Sequence, residues 1–405
     1  MTERQKKQLA IFEFDYHAEI LTALCPLLAN DFNLLILTTE KIWNKTEIPT
    51  NTPGYDVRLK SKKQSYEQFF SRCQQALDDC DAVYINTIGR GFDYYSKRQF
   101  KCPVIVRVHN VNATFAPTSH IQFTLRSFIS DFGYYLRSCV INRRWQRVLH
   151  FINQCDCVLL PSQAILRLAE QKGYLKNARY YSKQPLPFAF LDNAVPYCNE
   201  ADQSSRDGTT VCAILGSVDP SRKDYDVVIK AVKIFKQRYN GKLQLKLLGA
   251  IRGKGGMQVI ESFLRLCDKQ FSLFYNTDYM PKSEFQRQLK DVQFLIAPIK
   301  QDTRFKIFKE QYGISKMSGA ENDVITFQRP AIFSANYPLY GDLQKVTKVY
   351  RNAEQLCTAM KALGEDVTAE YLQSRFSGLA DYEPARIRKN FYQLCQQIAK
   401  SNQKD

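Results

Sequence analysis

The sequence predicts an α/β protein built from two parallel-sheet domains in series, and three observations carry this. Short β-branched runs alternate with helix-length amphipathic segments through the first half of the chain. A polar, proline-containing stretch then interrupts the alternation, and it restarts near Thr210. At 405 residues, 44% hydrophobic and 13% aromatic, the chain has material for two cores rather than one.

Leu9–Phe14 reads as the first strand and Ile20–Leu28 as the helix after it. Phe32–Leu37 is the second strand, 64–76 is helical, and Ala82–Asn86 is strand again. Pro103–His109 is a β-branched strand that ends on a histidine. Cys157–Ser162 is the next strand, followed by a helix over 163–171. Between these last two lies a long helical stretch, roughly 123–153, with Arg126, Arg137, Arg143, Arg144 and Arg147 beside Phe128, Phe132, Tyr134, Tyr135 and Trp145. A basic, aromatic, amphipathic segment of this kind can lie on an anionic membrane surface, or be a pair of domain helices with a solvated basic face.

The expected boundaries are a first domain over 1–185, a linker over 186–209, a second domain over 210–380 and a closing helical segment over 381–405. In the second domain Thr210–Gly216, Gln244–Gly249 and 271–275 read as strands, with helices over 225–239 and 259–269. Val292–Pro298 is a buried strand ending at proline, and a last helix covers about 385–399. No run approaches the roughly 18 apolar residues that span a bilayer. Met1–Lys7 leads straight into a strand without a signal-like apolar core, and the twelve cysteines lack metal-ligand spacing. A cytosolic chain with reduced core thiols is expected. The net charge of +17 would draw phosphorylated ligands, anionic lipid or nucleic acid. It is spread along the chain, which disfavours nucleic acid as the partner.

Two blocks carry the chemistry. After the first strand of the second domain comes Gly216-Ser217-Val218-Asp219-Pro220-Ser221-Arg222-Lys223. A glycine there lets backbone amides approach a phosphate, and Arg222 and Lys223 would neutralise it. After the strand at 292–298 comes Glu310-Gln311-Tyr312-Gly313, then Lys316, Ser318-Gly319, Asp323 and Arg329-Pro330-Ala331-Ile332-Phe333. Small residues before a helix start suit an anion, and a carboxylate suits sugar hydroxyls. Together they suggest a nucleotide-sugar site.

The order of these residues resembles the donor block of the retaining glycosyltransferase group 1 family, which has the GT-B fold of two Rossmann-like domains facing across a cleft. Glu310–Gly313 matches that family's Glu-Gly-Phe-Gly, and 329–333 matches its closing strand. The second acidic position of the family falls on Ser318 by forward count and on Asp323 by counting back from Pro330. Lys223 stands at the family's lysine after the second domain's first strand, with Asp224 in place of its usual glycine.

The resemblance implies an acceptor-side first domain, a donor-binding second domain and a last helix packed back on the first. It implies a nucleotide-diphosphate sugar as co-substrate, no further cofactor and no metal, and a glycan or lipid-linked acceptor. His109 would lie near the transferred sugar. With Glu310 and Asp323 it makes the candidate catalytic set, while Gly216, Ser217, Arg222, Lys223, Tyr312, Gly313, Lys316, Ser318 and Gly319 are the candidate donor contacts. Asp15 and His17, in the loop after the first strand, could meet acceptor hydroxyls or merely cap the next helix. Arg252–Gly256 lacks the hydroxyl of a nucleoside-triphosphatase loop and reads as a turn into a helix. Residues 275–281 occupy the place of a nucleotide-base wall. The alternatives are a degenerate GT-B protein that binds a partner without catalysis, a basic nucleic-acid binder, or an epimerase of the same fold.

Overall fold

The computed structural model describes residues 6–46, 48–187, 189–191, 208–278 and 280–401, so residues 188 and 192–207 of the expected linker lie outside the described residues. Two six-stranded parallel sheets form the framework. The first joins β1 (Lys7–Glu13), β2 (Phe32–Thr39), β3 (Tyr55–Lys60), β4 (Ala82–Ile85), β5 (Val104–Arg107) and β6 (Cys157–Leu159) in the order β3-β2-β1-β4-β5-β6. Successive residues of β1 point to opposite faces, and both faces are covered. Ala10 and Phe12 enter one core, with Val83, Val106 and Phe151, and Leu9 and Ile11 enter the other. That double burial is why the strands read as unbroken apolar runs.

The second sheet joins β7 (Thr209–Leu215), β8 (Lys242–Leu248), β9 (Phe271–Tyr275), β10 (Phe294–Ala297), β13 (Ala331–Ser334) and β14 (Thr347–Tyr350) in the order β14-β13-β10-β7-β8-β9. Two short strands, β11 (Asp302–Phe305) and β12 (Phe308–Gln311), pair antiparallel as a separate hairpin. In both sheets the chain starts centrally and winds out to each side. This creates a crevice where the order reverses, between β1 and β4 in one domain and between β7 and β10 in the other.

The helix Pro384–Ser401 returns to the first domain. Its Phe391 ring meets Tyr84 edge-on at 5.7 Å, its Ile387, Leu394 and Ile398 join the core on that face of β1, and Arg388 pairs with Asp31 at 3.0 Å. The stretch 123–153 is not one helix. It is a 3-10 turn (Leu125–Ser127), an α-helix (Phe128–Tyr135), a π-helical turn (Leu136–Ile141) and a second α-helix (Arg144–Gln154), broken where Arg143 takes φ +43°. The glycines at 253, 255 and 256 are not a turn but the first turn of the helix Gly253–Leu264.

Candidate functional site

A cavity of about 190 Å³ opens at the carboxyl ends of β7 and β10, the switch point of the second sheet. Gly216, Ser217, Arg222, Lys223, Tyr312, Ser318, Gly319 and Asp323 all line it. Gly216 takes φ +75°, and its backbone lies so close to Gly249 that a Cβ there would meet it at 2.4 Å, so both positions need glycine. Across from this loop the helix Gly319–Phe327 begins with Ser318 as its N-cap, whose hydroxyl accepts from the Ala320 amide at 3.3 Å. Ser318, Gly319 and Ala320 therefore present a helix N-terminus to the cavity.

The two cations expected on the glycine loop behave differently. Lys223 is turned inward, and its Nζ donates to the carbonyls of Leu215, Gly216 and Ser217 at 2.7, 3.0 and 2.9 Å. Burial lowers it to about 8, against the pull of Asp323 and Asp219. It holds the loop's shape rather than presenting a free charge. Arg222 is mostly exposed, and its guanidinium lies 3.7 Å from Asp219. Asp323 faces Lys223 through their charges, and burial raises it to about 7.

Glu310 is not in this cavity. It sits on β12, 0% exposed, and its Oε1 accepts from the Ala113 amide of the first domain at 2.9 Å. Its Oε2 has no hydrogen-bond partner among the described residues, and burial raises the carboxyl to about 7. The sequence places Glu310 in a loop past β10, and the structure corrects this: a hairpin intervenes and locks onto the first domain. Asn112 Nδ2 donates to the Lys309 carbonyl at 3.2 Å, the Gln122 amide to Ile307 at 2.7 Å, and Arg304 pairs with Asp131 at 2.9 Å.

Gly313 does not line the cavity either. It turns the chain at φ +76°, packed so tightly on Pro338 and Tyr337 that a side chain would clash. Lys316 lies at the seam of the two domains. Its backbone bridges Asn110, next to His109, and its Nζ stands 5.6 and 5.8 Å from the ring centroids of Phe305 and Tyr312. Burial lowers Lys316, and its charge is coupled to both Glu310 and Arg222.

On the first-domain wall, His109 stacks on His17 with ring centroids 4.9 Å apart. His109 Nε2 lies 2.6 Å from the Asn86 carbonyl, and His17 Nδ1 lies 2.8 Å from Glu19. Burial first, then the neighbouring His17 and Arg107, holds His109 well below the ordinary histidine range, so it is neutral at physiological pH. Beneath the pair, the buried carboxylate of Glu13 accepts from the amides of Asp15 and Tyr16 and from Asn86 and Thr87. This network fixes the loop that carries His17 without any glycine in it. Asp15 does not cap the helix that follows; it accepts from the Arg90 amide at 2.9 Å and fills the space beside Gly89.

Other expectations move too. None of the described residues of 275–281 lines the cavity. Among the described residues no group of three His, Cys, Asp or Glu side chains could hold a metal ion. The Glu13–Asn86–Thr87 network was missed by sequence reading, because nothing local marks Glu13 inside an apolar strand as a residue that organises a distant loop.

No family model matches the chain, and no curated protein sequence matches it. Solved structures match along nearly its whole length. The Anabaena protein HepE in complex with UDP is 12% identical, with 97% of this chain and 100% of that chain covered and a TM-score of 0.59. A UDP-forming α,α-trehalose-phosphate synthase from Burkholderia vietnamiensis is 9% identical, covering 99% of each chain, with a TM-score of 0.57. The lipopolysaccharide outer core galactosyltransferase WaaB, in its apo form, is 12% identical over 95% of this chain and 98% of that one, with a TM-score of 0.53.

The fold is GT-B. In GT-B terms the 190 Å³ cavity occupies the second domain's sheet end, and the His17–His109 pair lies on the first domain, where the adjacent Asn110 bridges Lys316 of the second. Seven of the nine expected donor contacts line that cavity; Gly313 packs on Tyr337 and Pro338 outside it, and Lys316 stands at the domain seam.

Proposed function

We propose that this GT-B protein is a glycosyltransferase that takes a sugar from a nucleotide-diphosphate donor, with retention, and passes it to a glycan or lipid-linked acceptor. The observation that carries the reading is the convergence of the Gly216 loop, Arg222 and the N-terminus of the helix Gly319–Phe327 on one cavity at the switch point. A diphosphate there would meet the positive end of that helix and a guanidinium. These would stabilise the charge that builds on the departing nucleotide as the glycosidic bond breaks. Lys316 would add the second cation from the seam, in the part expected of Lys223, whose Nζ is held by three carbonyls.

Ser318 stands at the helix N-cap, where a ribose hydroxyl would arrive, and Asp323 is one turn deeper beside Lys223. We therefore assign the second acidic position's place to Ser318. Neutral His109 would hydrogen-bond the transferred sugar, oriented by Asn86. HepE's complex makes UDP the first nucleotide to try.

A second reading, a GT-B protein that binds without catalysing, draws on the sealing of Glu310 against Ala113. Incubation with a panel of UDP-sugars and mixed glycan acceptors, followed by proton NMR, separates the two. Transfer that keeps the donor's anomeric configuration, and that fails in Arg222→Ala, supports the first. Nucleotide binding with no turnover of any donor would leave the second.

A further inference from the structure

We infer that the surface formed by residues 123–147 docks this protein on an anionic lipid bilayer. Of thirteen exposed large apolar side chains among the described residues, eight fall between 123 and 141. Leu125 is 101% exposed, Ile129 89%, Ile141 73% and Phe128 52%, with Leu136 and Val140 continuing the stripe at helical spacing. Phe128 and Phe132 stack at 6.0 Å on the surface and face outward instead of entering either core. Isolated exposed apolar residues are ordinary; a contiguous stripe of this kind marks a contact surface.

The charges around the stripe select the occupant. Arg137 and Arg143 are exposed, and their side chains make no ion pair or hydrogen bond among the described residues. Arg144 and Arg147 line the same edge, pairing with Asp93. The one acid in the segment, Asp131, is buried against Arg304. An apolar stripe rimmed by arginines is complementary to acyl chains under a layer of lipid phosphates. A second copy fits poorly, because a two-fold contact through the stripe would bring one arginine rim up to the other in a chain of net charge +17.

The surface borders the cleft. Lys306, at the tip of the hairpin that carries Glu310, stands 4.8 Å over the Tyr134 ring. If the cleft transfers sugar as proposed, docking would bring a lipid-linked acceptor to its edge; the docking itself rests on the surface alone. No helix among the described residues is long and apolar enough to cross a membrane, so the contact is with the bilayer face.

Flotation of the full chain tests this, using vesicles of phosphatidylcholine alone and of phosphatidylcholine with phosphatidylglycerol. The wild type should float with the anionic vesicles, less so as salt is raised. Leu125→Asp/Ile129→Asp and Arg137→Glu/Arg143→Glu should each lower partitioning by about tenfold or more, with unchanged thermal melts because every altered side chain is exposed. Failure of the wild type to float, or equal flotation of both double variants, would overturn the proposal. So would sedimentation showing that Leu125→Asp/Ile129→Asp only splits a dimer while vesicle binding is unchanged.

Discussion

Lys223 donates to three carbonyls of the loop after β7, so replacing it with alanine strands those acceptors. Lys223→Ala should therefore cost about 3 kcal/mol of stability in urea melts. Arg222→Ala and Lys316→Ala remove charges without such a backbone role and should stay within about 1 kcal/mol of wild type. Each should still weaken UDP binding by roughly tenfold to a hundredfold, the range of a charge-assisted contact, read by calorimetric titration. Glu310 supplies a pH signature. Its carboxyl is raised from 4.5 to about 7 by burial, so the unfolded chain releases that proton before the folded one does. The resulting stability is fully present below about pH 4.5 and is lost as pH rises through 7. Glu310→Gln, which cannot ionise, should gain ~3 kcal/mol relative to wild type between pH 4.5 and pH 8 in urea melts. His109 works in the opposite sense. Buried as the neutral form, it contributes stability that is present above its ordinary 6.5 and lost as pH falls below it.

At the scale of elements, the hairpin β11–β12 is the main link from the second domain to the first. Arg304, Ile307, Lys309 and Glu310 each reach segment 112–131. Arg304→Ala/Asp131→Ala should loosen that seam, seen as a larger radius of gyration in small-angle scattering of the free protein, and a bound nucleotide sugar should draw it back. This hairpin was invisible in the sequence for a physical reason. Tight hairpins usually announce themselves with Asn-Gly or Asp-Gly, but here the turn is Lys306-Ile307, with Lys306 itself held at φ +56°. The central strands β1, β5, β7 and β10 were legible because burial on both faces demands continuous apolar runs. β3 and β14 lie at sheet edges, where polar residues such as Asp56, Arg58 and Lys348 dilute that signal. The residues that line the cavity were legible as a set because glycine, N-cap serine and cations each have a local chemical reason. The direction in which Lys223 and Glu310 point is not written in their motifs: Lys223 turns back onto the carbonyls of its own loop, and Glu310 follows the hairpin onto the first domain.

For the whole molecule, the last helix ties the two domains together, since it follows the second domain in the chain and buries its apolar face on the first. Phe391, 3% exposed between Tyr84 and Phe32, is the anchor, and Phe391→Ala should lower stability by about 3–4 kcal/mol in thermal or urea melts. Under the proposed function its loss should also weaken nucleotide-sugar turnover more than nucleotide binding, because the cavity lies in one domain and the proposed transfer uses both. Cations of the +17 chain stand at each level: a guanidinium at the cavity, a lysine at the seam and an arginine rim around the apolar stripe. The proposed function rests on a nucleotide diphosphate occupying the cavity between β7 and β10. The most direct measurement is calorimetric titration of UDP, GDP and ADP into the wild type and into Arg222→Ala/Lys316→Ala, with both shown to be folded. The account predicts saturable one-to-one binding of one nucleotide by the wild type, weakened about a hundredfold or more in the double variant. Folded wild-type protein that binds none of the three, or a double variant that binds as tightly as wild type, would contradict it.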